Sequence, residues 1–395
     1  MGDERRPRET RVVPNYEDGS IVNLMSSILR SYSADSLYNP LPLLPADELR
    51  QYRNVVLIVI DGLGNEFLSA HGRKSIFGMY RRGTMTAVFP ATTASGITTF
   101  LTGVAPQQHA ITGWFMYLKE MGMVTKILPY VTRSEDTLLK SDFCTFYHEK
   151  SLFQRIGIDS HYVIHSHHID SRYTHATTMN ANKVAYHTLT DMVQKMREVI
   201  TNSHKKKFIC SYWPDLDAYC HSYGTESVET FQHFETLNAH MTSFVESIKK
   251  TNTIVLITSD HGLVDADESQ IIRLKEHQDL AQTLVLPLCG EPRAVYCYVR
   301  PERVPVFERY VKKELSTYCT VHKARTLIEK NYFGLFEPNP SLYDRIGDYV
   351  LIMKENYVLK DTVVGEKAYS LKAYHGGMSR DEMYVPLVVI DCERV

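Results

Sequence analysis

Asn54-Val55-Val56-Leu57-Ile58-Val59-Ile60-Asp61-Gly62 is the stretch that decides how this sequence folds. A strand with one wet face alternates polar and apolar residues, whereas here every position from Val55 to Ile60 is a β-branched residue or Leu. Such a strand is buried on both faces, the pattern of a parallel sheet covered by helices on either side. Asp61-Gly62 then closes the run with a turn.

Working outward, residues 207–212, 253–258, 295–299 and 385–390 read as further buried strands, while the longer periodic stretches 181–200 and 227–249 read as helices. Strands alternating with helices predict an α/β fold, a mostly parallel sheet flanked by helices. Ahead of it, residues 1–20 are charged and Pro-containing and read as a flexible N-terminal arm. Residues 21–32 have the spacing of a short amphipathic helix before the Pro-rich stretch 39–45. The rhythm breaks over 291–365, where 349–353 and 357–360 suggest a hairpin and Pro338-Asn339-Pro340 an irregular loop. This segment is expected to be a smaller inserted cap, with 21–290 and 366–395 forming the core. The sequence has no internal repeat.

Of the 395 residues, 44 are Lys or Arg and 46 Asp or Glu, a net charge of −2. No overall field draws such a chain to nucleic acid or to an anionic membrane, so neither is expected as a partner. The apolar runs fall well short of the roughly 20 residues that span a bilayer. Residues 1–20 lack the apolar core of a secretory signal, and the seven cysteines are scattered without a CxxC pair. A reducing, cytoplasmic setting is the expectation.

Three of the expected strands end in carboxylates: Ile60-Asp61-Gly62, Thr258-Ser259-Asp260-His261-Gly262, and Trp213-Pro214-Asp215-Leu216-Asp217. In an open α/β sheet the carboxyl ends of the strands line one edge, where ligands bind, so these acids should converge. His221 follows Asp217 by one helical turn, and Tyr374-His375-Gly376-Gly377 adds a late imidazole. Carboxylate and imidazole together suit divalent metals. Phe89-Pro90-Ala91-Thr92-Thr93-Ala94-Ser95-Gly96 leads into a helix starting near Thr93, where unpaired N–H groups and the helix dipole favour a phosphoryl oxygen or an alkoxide. A threonine hydroxyl is a weak nucleophile until a metal activates it.

The order Asp-Gly, Phe-Pro-x-x-Thr, Asp-x-x-x-His-x-x-Gly, Asp-His-Gly and a late His-Gly resembles the nucleotide pyrophosphatase/phosphodiesterase family of the alkaline phosphatase superfamily. The resemblance spans roughly residues 54–265 and 366–392. It implies an alkaline-phosphatase-like core and two divalent metal ions, zinc or manganese. Asp61, Thr93, Asp260 and His261 would hold one ion and Asp217, His221 and His375 the other, with Thr93 as the catalytic nucleophile. It further implies hydrolysis of phosphodiester or phosphoanhydride bonds through a covalent phospho-threonine, on a small phosphoester that includes nucleotides. Rival readings are a phosphomonoesterase or phosphonate hydrolase of the same superfamily, and a non-catalytic metal-binding protein.

Two departures from the family pattern stand out. Gly96 occupies the position of an Asn that members with nucleotide substrates use toward a phosphoryl oxygen, which leaves that oxygen to a backbone N–H such as that of Ala94. Cys220 replaces the usual Gly before His221, expected as a packing change. Small, uncharged Ala94, Ser95 and Gly96 favour diesters over monoesters. The 291–365 insertion with its tyrosines, or the loop carrying His165, His167, His168, Asp170, Arg172 and His175, is expected to shape the pocket for the second ester group.

Overall fold

A computed structural model describes residues 11–367 and 370–394. Its main sheet has seven strands, in the order Arg81–Thr86, Tyr384–Asp391, Thr253–Thr258, Asn54–Ile60, Lys207–Trp213, Asp159–His165 and Asn182–Tyr186. The five from Thr253–Thr258 onward run parallel. Tyr384–Asp391 is antiparallel to both of its neighbours. Asn54–Ile60 is buried along its whole length, as its composition requires. Val55, Leu57 and Val59 join one core with the Ile21–Ser31 and Thr93–Thr102 helices, while Val56, Ile58 and Ile60 join a second with the Leu189–Thr201 and Val228–Ser247 helices. At about 1.5–3 kcal/mol for each large side chain removed from water, this one strand anchors both layers.

A second sheet, antiparallel throughout, stacks Cys319–Lys323, Tyr349–Met353, Ala294–Cys297, Cys289–Glu291, Phe115–Leu118, Met123–Lys126 and Val131–Thr132. The break expected at residue 291 is therefore no break in the sheet. Strands from the 291–365 segment pair through Cys289–Glu291 with a hairpin drawn from residues 115–132, because Phe115 and Gly290 lie in register. Residues 295–299, expected as a strand of the parallel sheet, supply instead the Ala294–Cys297 strand of this one. The expected 349–353/357–360 hairpin is also absent. Tyr349–Met353 pairs with its sheet neighbours, while Val358–Lys360 pairs in parallel with Ile271–Arg273.

Two further expectations need correction. The helix read over 181–200 is a strand, Asn182–Tyr186, followed by a helix, Leu189–Thr201; the edge position beside Asp159–His165 satisfies the strand's backbone, which periodicity alone does not reveal. Of the expected flexible arm, residues 1–10 lie outside the described residues. Residues 11–20 are packed rather than free, with Val12 and Tyr16 buried and the Tyr16 hydroxyl donating to the Tyr332 carbonyl at 2.9 Å. Among the described residues no helix is long and apolar enough to cross a membrane.

Candidate active site

The register of the main sheet brings the acids together. Ile60 lies beside Trp213 and Val59 beside Thr258, so Asp61, the helix Asp215–Tyr223 and Asp260 all leave the sheet at one rim. Thr86 pairs with Tyr384, which returns the Thr92-Thr93 turn and the residue 375–383 segment to the same rim. Val264–Asp265 pairs with Ala373–Tyr374 and so fixes the segment carrying His375.

Thr93 opens the helix Thr93–Thr102. Its Oγ1 lies 3.1 Å from His261 Nε2 and 3.3 Å from Asp61 Oδ2. His261 Nε2 is 3.3 Å from Asp61 Oδ1 and 3.7 Å from Asp260 Oδ2. Asp217 and His221 face each other across one helical turn at 3.2 Å, and His221 Nδ1 meets the Ala373 carbonyl at 2.7 Å. The His375 ring stacks on His261 at 3.9 Å and lies 5.2 Å from His221. All seven residues singled out from the sequence thus share one rim. Ligand atoms of Asp61, Asp260 and His261 lie within 4.8 Å of one another, as do those of Asp217, His261 and His375, making His261 the hinge between the two groups.

Charge in this cluster is unbalanced. Burial, reinforced by Asp260 and Asp217, pushes the Asp61 carboxyl well above its ordinary pKa, and burial also raises Asp260. Burial opposes ionisation of Asp217 too, but His221 outweighs it and holds Asp217 low. In return Asp217 lifts His221 to about 9 against the burial penalty. Burial, then His261, drives His375 far below the usual imidazole range. Asp61 Oδ1, Asp217 Oδ1, Asp260 Oδ2 and His375 Nδ1 are buried without a hydrogen-bond partner among the described residues. Orphaned lone pairs on acids that repel one another are what a site for cations presents.

The two departures in the motifs have steric explanations. A Cβ at Gly96 would stand 2.6 Å from Asp260 Cβ, so a side chain here would displace the acid rather than reach the pocket. Cys220 packs with Leu263 and Ala373 in a small buried cluster. The helix start leaves its first amides free, since Gly96 N–H is the one that bonds back to the Thr92 carbonyl, at 2.9 Å.

In front of Thr93 lies a cavity of about 640 Å³. Asp217, His221 and His375 form its floor, and Trp114, Phe115, Pro129, Val131 and Leu371 much of its wall. Lys126 and Asp136 add an ion pair at 2.6 Å. Of the 291–365 segment only Glu291 and Pro292 line it, and no residue of the His165–His175 loop does; Arg172 turns away to the Ser141 carbonyl. Three contributors escaped the sequence reading. Tyr212 donates to Asp61 Oδ2 at 2.5 Å, from the strand position paired with Val59. Glu291, buried, accepts from Thr92 Oγ1 at 2.6 Å and from Trp114 N–H at 2.7 Å; burial raises its carboxyl to about 7 despite those donors. Trp114 makes a wall beside Thr93. A Gly-Glu-Pro-Arg turn, Gly290 to Arg293, between two apolar runs was the available signal for Glu291.

Comparison with known proteins bears on the family and the fold. A family model described as type I phosphodiesterase / nucleotide pyrophosphatase matches residues 55–378. Murine ectonucleotide pyrophosphatase / phosphodiesterase 5, solved as an inactive variant in complex with AMP, superposes with a TM-score of 0.64 at 17% identity, covering 84% of this chain and 87% of that one. The human counterpart gives 0.63 at 17% identity over 85% and 87%. Phosphonoacetate hydrolase from Sinorhizobium meliloti, in complex with phosphonoformate, gives 0.62 at 14% identity over 86% and 90%. At such identities these likenesses are of fold. A search of curated proteins by sequence returns no match.

Proposed function

Because the chain belongs to the type I phosphodiesterase / nucleotide pyrophosphatase family, we propose that it hydrolyses phosphodiester or phosphoanhydride bonds of small substrates, nucleotides included, with Thr93 as nucleophile. The observation that carries this reading is Thr93 Oγ1, poised between His261 and Asp61 at a helix start and open to a cavity with a polar floor and a largely apolar wall.

The donor set fits two divalent ions, zinc or manganese, since buried carboxylate oxygens and a neutral His375 nitrogen are left without partners. Asp61, Thr93, Asp260 and His261 would hold one, and Asp217, His221 and His375 the other. Such ions supply a lowered hydroxyl pKa and neutralise charge that grows on the phosphoryl oxygens. The chain does the rest. Tyr212, kept protonated by burial, fixes the Asp61 carboxylate. The free amides of the first helical turn, that of Ala94 among them, face the phosphoryl oxygen that Asn serves elsewhere in the family. Thr93 Oγ1 gives up its proton to solvent and forms its bond to phosphorus as the bond to the leaving oxygen breaks; water then attacks phosphorus, the P–Oγ1 bond breaks, and a proton from that water restores the hydroxyl. Two fold neighbours bind small phosphorus oxyanions, AMP (a phosphomonoester) and phosphonoformate (a phosphonate), neither of which carries the diester or anhydride bond proposed here.

An apolar wall admits a second organic group but gives a third phosphoryl oxygen little compensation, so diesters are expected to outrun monoesters. One observation favours phosphonate or monoester hydrolysis instead: Lys126 puts a cation on the cavity wall, although Asp136 engages it. The test is kcat/KM for bis-p-nitrophenyl phosphate against p-nitrophenyl phosphate at one pH and metal load. A clear advantage for the monoester would overturn the diesterase assignment.

A further inference from the structure

Glu291 belongs to the second sheet, yet its carboxylate reaches the residue before the nucleophile. Only 6% of it is exposed. One oxygen, Oε1, accepts both the Thr92 hydroxyl at 2.6 Å and the Trp114 N–H at 2.7 Å. Thr92 is the N-cap of the Thr93–Thr102 helix, and an N-cap hydroxyl ordinarily accepts from its own first turn. Here it makes no such bond and donates outward instead. The Glu291 stem fills a third place, beside the late His-Gly: a Cβ at Gly376, whose φ is +110°, would meet Glu291 Cβ at 2.5 Å and Cγ at 2.8 Å. Three segments far apart in sequence therefore rest on one side chain.

We propose that Glu291 is a positioning residue that sets the aim of Thr93 by holding Thr92, and sets the cavity wall by holding Trp114. The proposal rests on Thr93 being the attacking group. Thr93 Oγ1 sits within 3.3 Å of both His261 and Asp61, so a small rotation of the Thr92 peptide changes the line of attack. Misplacement by about 1 Å costs on the order of a hundredfold in rate. Neither oxygen of Glu291 is required to transfer a proton.

Steady-state kinetics on metal-loaded Thr92→Val, Glu291→Gln, Glu291→Ala and Thr93→Ala, with one diester, test this. Thr92→Val keeps the branched shape and removes only the donor; kcat should fall roughly tenfold, with KM nearly constant. Glu291→Ala should lose roughly a hundredfold in kcat and also raise KM, because Trp114 is released as well. Glu291→Gln keeps an acceptor at the same place and should recover most of that loss, remaining within about threefold of wild type. If Gln is as weak as Ala, the charge and not the anchoring matters, and the proposal is overturned. Wild-type kcat in Thr92→Val overturns it also, and needs no unstable variant. Loss of turnover in Thr93→Ala beside wild-type kcat in Thr92→Val and Glu291→Ala removes the Glu291 role alone; full turnover in Thr93→Ala removes the nucleophile reading and this role with it.

Discussion

The cavity has two unlike sides. Its floor, Asp217, His221 and His375, lies at the rim where Asp61, Asp217 and Asp260 follow parallel strands of the main sheet. Its wall is built from the faces and turns of an antiparallel sheet, where Trp114, Phe115, Lys126 and Glu291 come from stretches more than 150 residues apart. A parallel sheet delivers polar residues to a site by topology, at the ends of apolar runs. An antiparallel sheet delivers them by register, one pair at a time. We therefore assign chemistry to the floor and substrate fit to the wall, and each assignment can be broken separately.

Removal of metal should act on the floor and give the largest effect. Prolonged chelation is expected to abolish turnover, with zinc or manganese restoring it, and Asp217→Ala or His375→Ala should lower metal occupancy roughly a hundredfold or more in affinity while the fold persists. Metal analysis beside circular dichroism checks both; undiminished activity in metal-free protein contradicts the account.

Next in size is the proposed nucleophile. Thr93→Ala should lose at least roughly a thousandfold in kcat, whereas Thr93→Ser keeps partial activity because it retains the hydroxyl and loses only the methyl that fixes its rotamer. If the Ser variant is as dead as Ala, shape rather than the hydroxyl is at stake.

The joint between floor and wall makes a different prediction. Arg293, at the turn of the second sheet, pairs with Glu382, which precedes the last strand of the main sheet; both are buried, and Nε and Nη2 bond the two carboxylate oxygens at 2.6 and 2.9 Å. Burial alone would raise Glu382, but Arg293 outweighs it and holds the carboxyl below its ordinary value. A depressed folded pKa stabilises the fold above the ordinary value of about 4.3 and loses that contribution as pH falls through the lower folded value. Glu382→Gln leaves the arginine uncompensated and should destabilise by about 3–5 kcal/mol at pH 7, with a smaller difference from wild type near pH 3. Denaturant midpoints at the two pH values measure it. An unchanged midpoint at pH 7 means the sheets are not joined there.

The smallest effect belongs to the wall. Phe115→Ala should raise KM for bis-p-nitrophenyl phosphate by roughly tenfold and leave kcat within a few-fold, consistent with loss of apolar contact alone. A fall in kcat with constant KM would move Phe115 from fit to chemistry.

This difference between floor and wall is also why one was legible in the sequence and the other was not. Val55–Ile60 declares a doubly buried strand by composition, and Asp61, Asp260-His261 and Asp217 through His221 follow from where such strands stop. The Phe115–Leu118 and Cys289–Glu291 strands are short, and their partnership depends on a register that no local pattern encodes. Asn182–Tyr186 fails similarly: its apolar positions fit either period, and the neighbouring Asp159–His165 strand decides. Tyr212 was hidden inside a run read only as strand, its hydroxyl reaching Asp61 on the adjacent strand.

In the mechanism we propose, Thr93 carries the phosphoryl group between substrate and water. Wild-type enzyme turning over bis-p-nitrophenyl phosphate, quenched in acid within the first turnover and digested, should show a p-nitrophenyl phosphoryl group on the peptide containing Thr93, with p-nitrophenol released in matching amount. An adduct on another residue, or none while Thr93→Ala turns over at the wild-type rate, would contradict it.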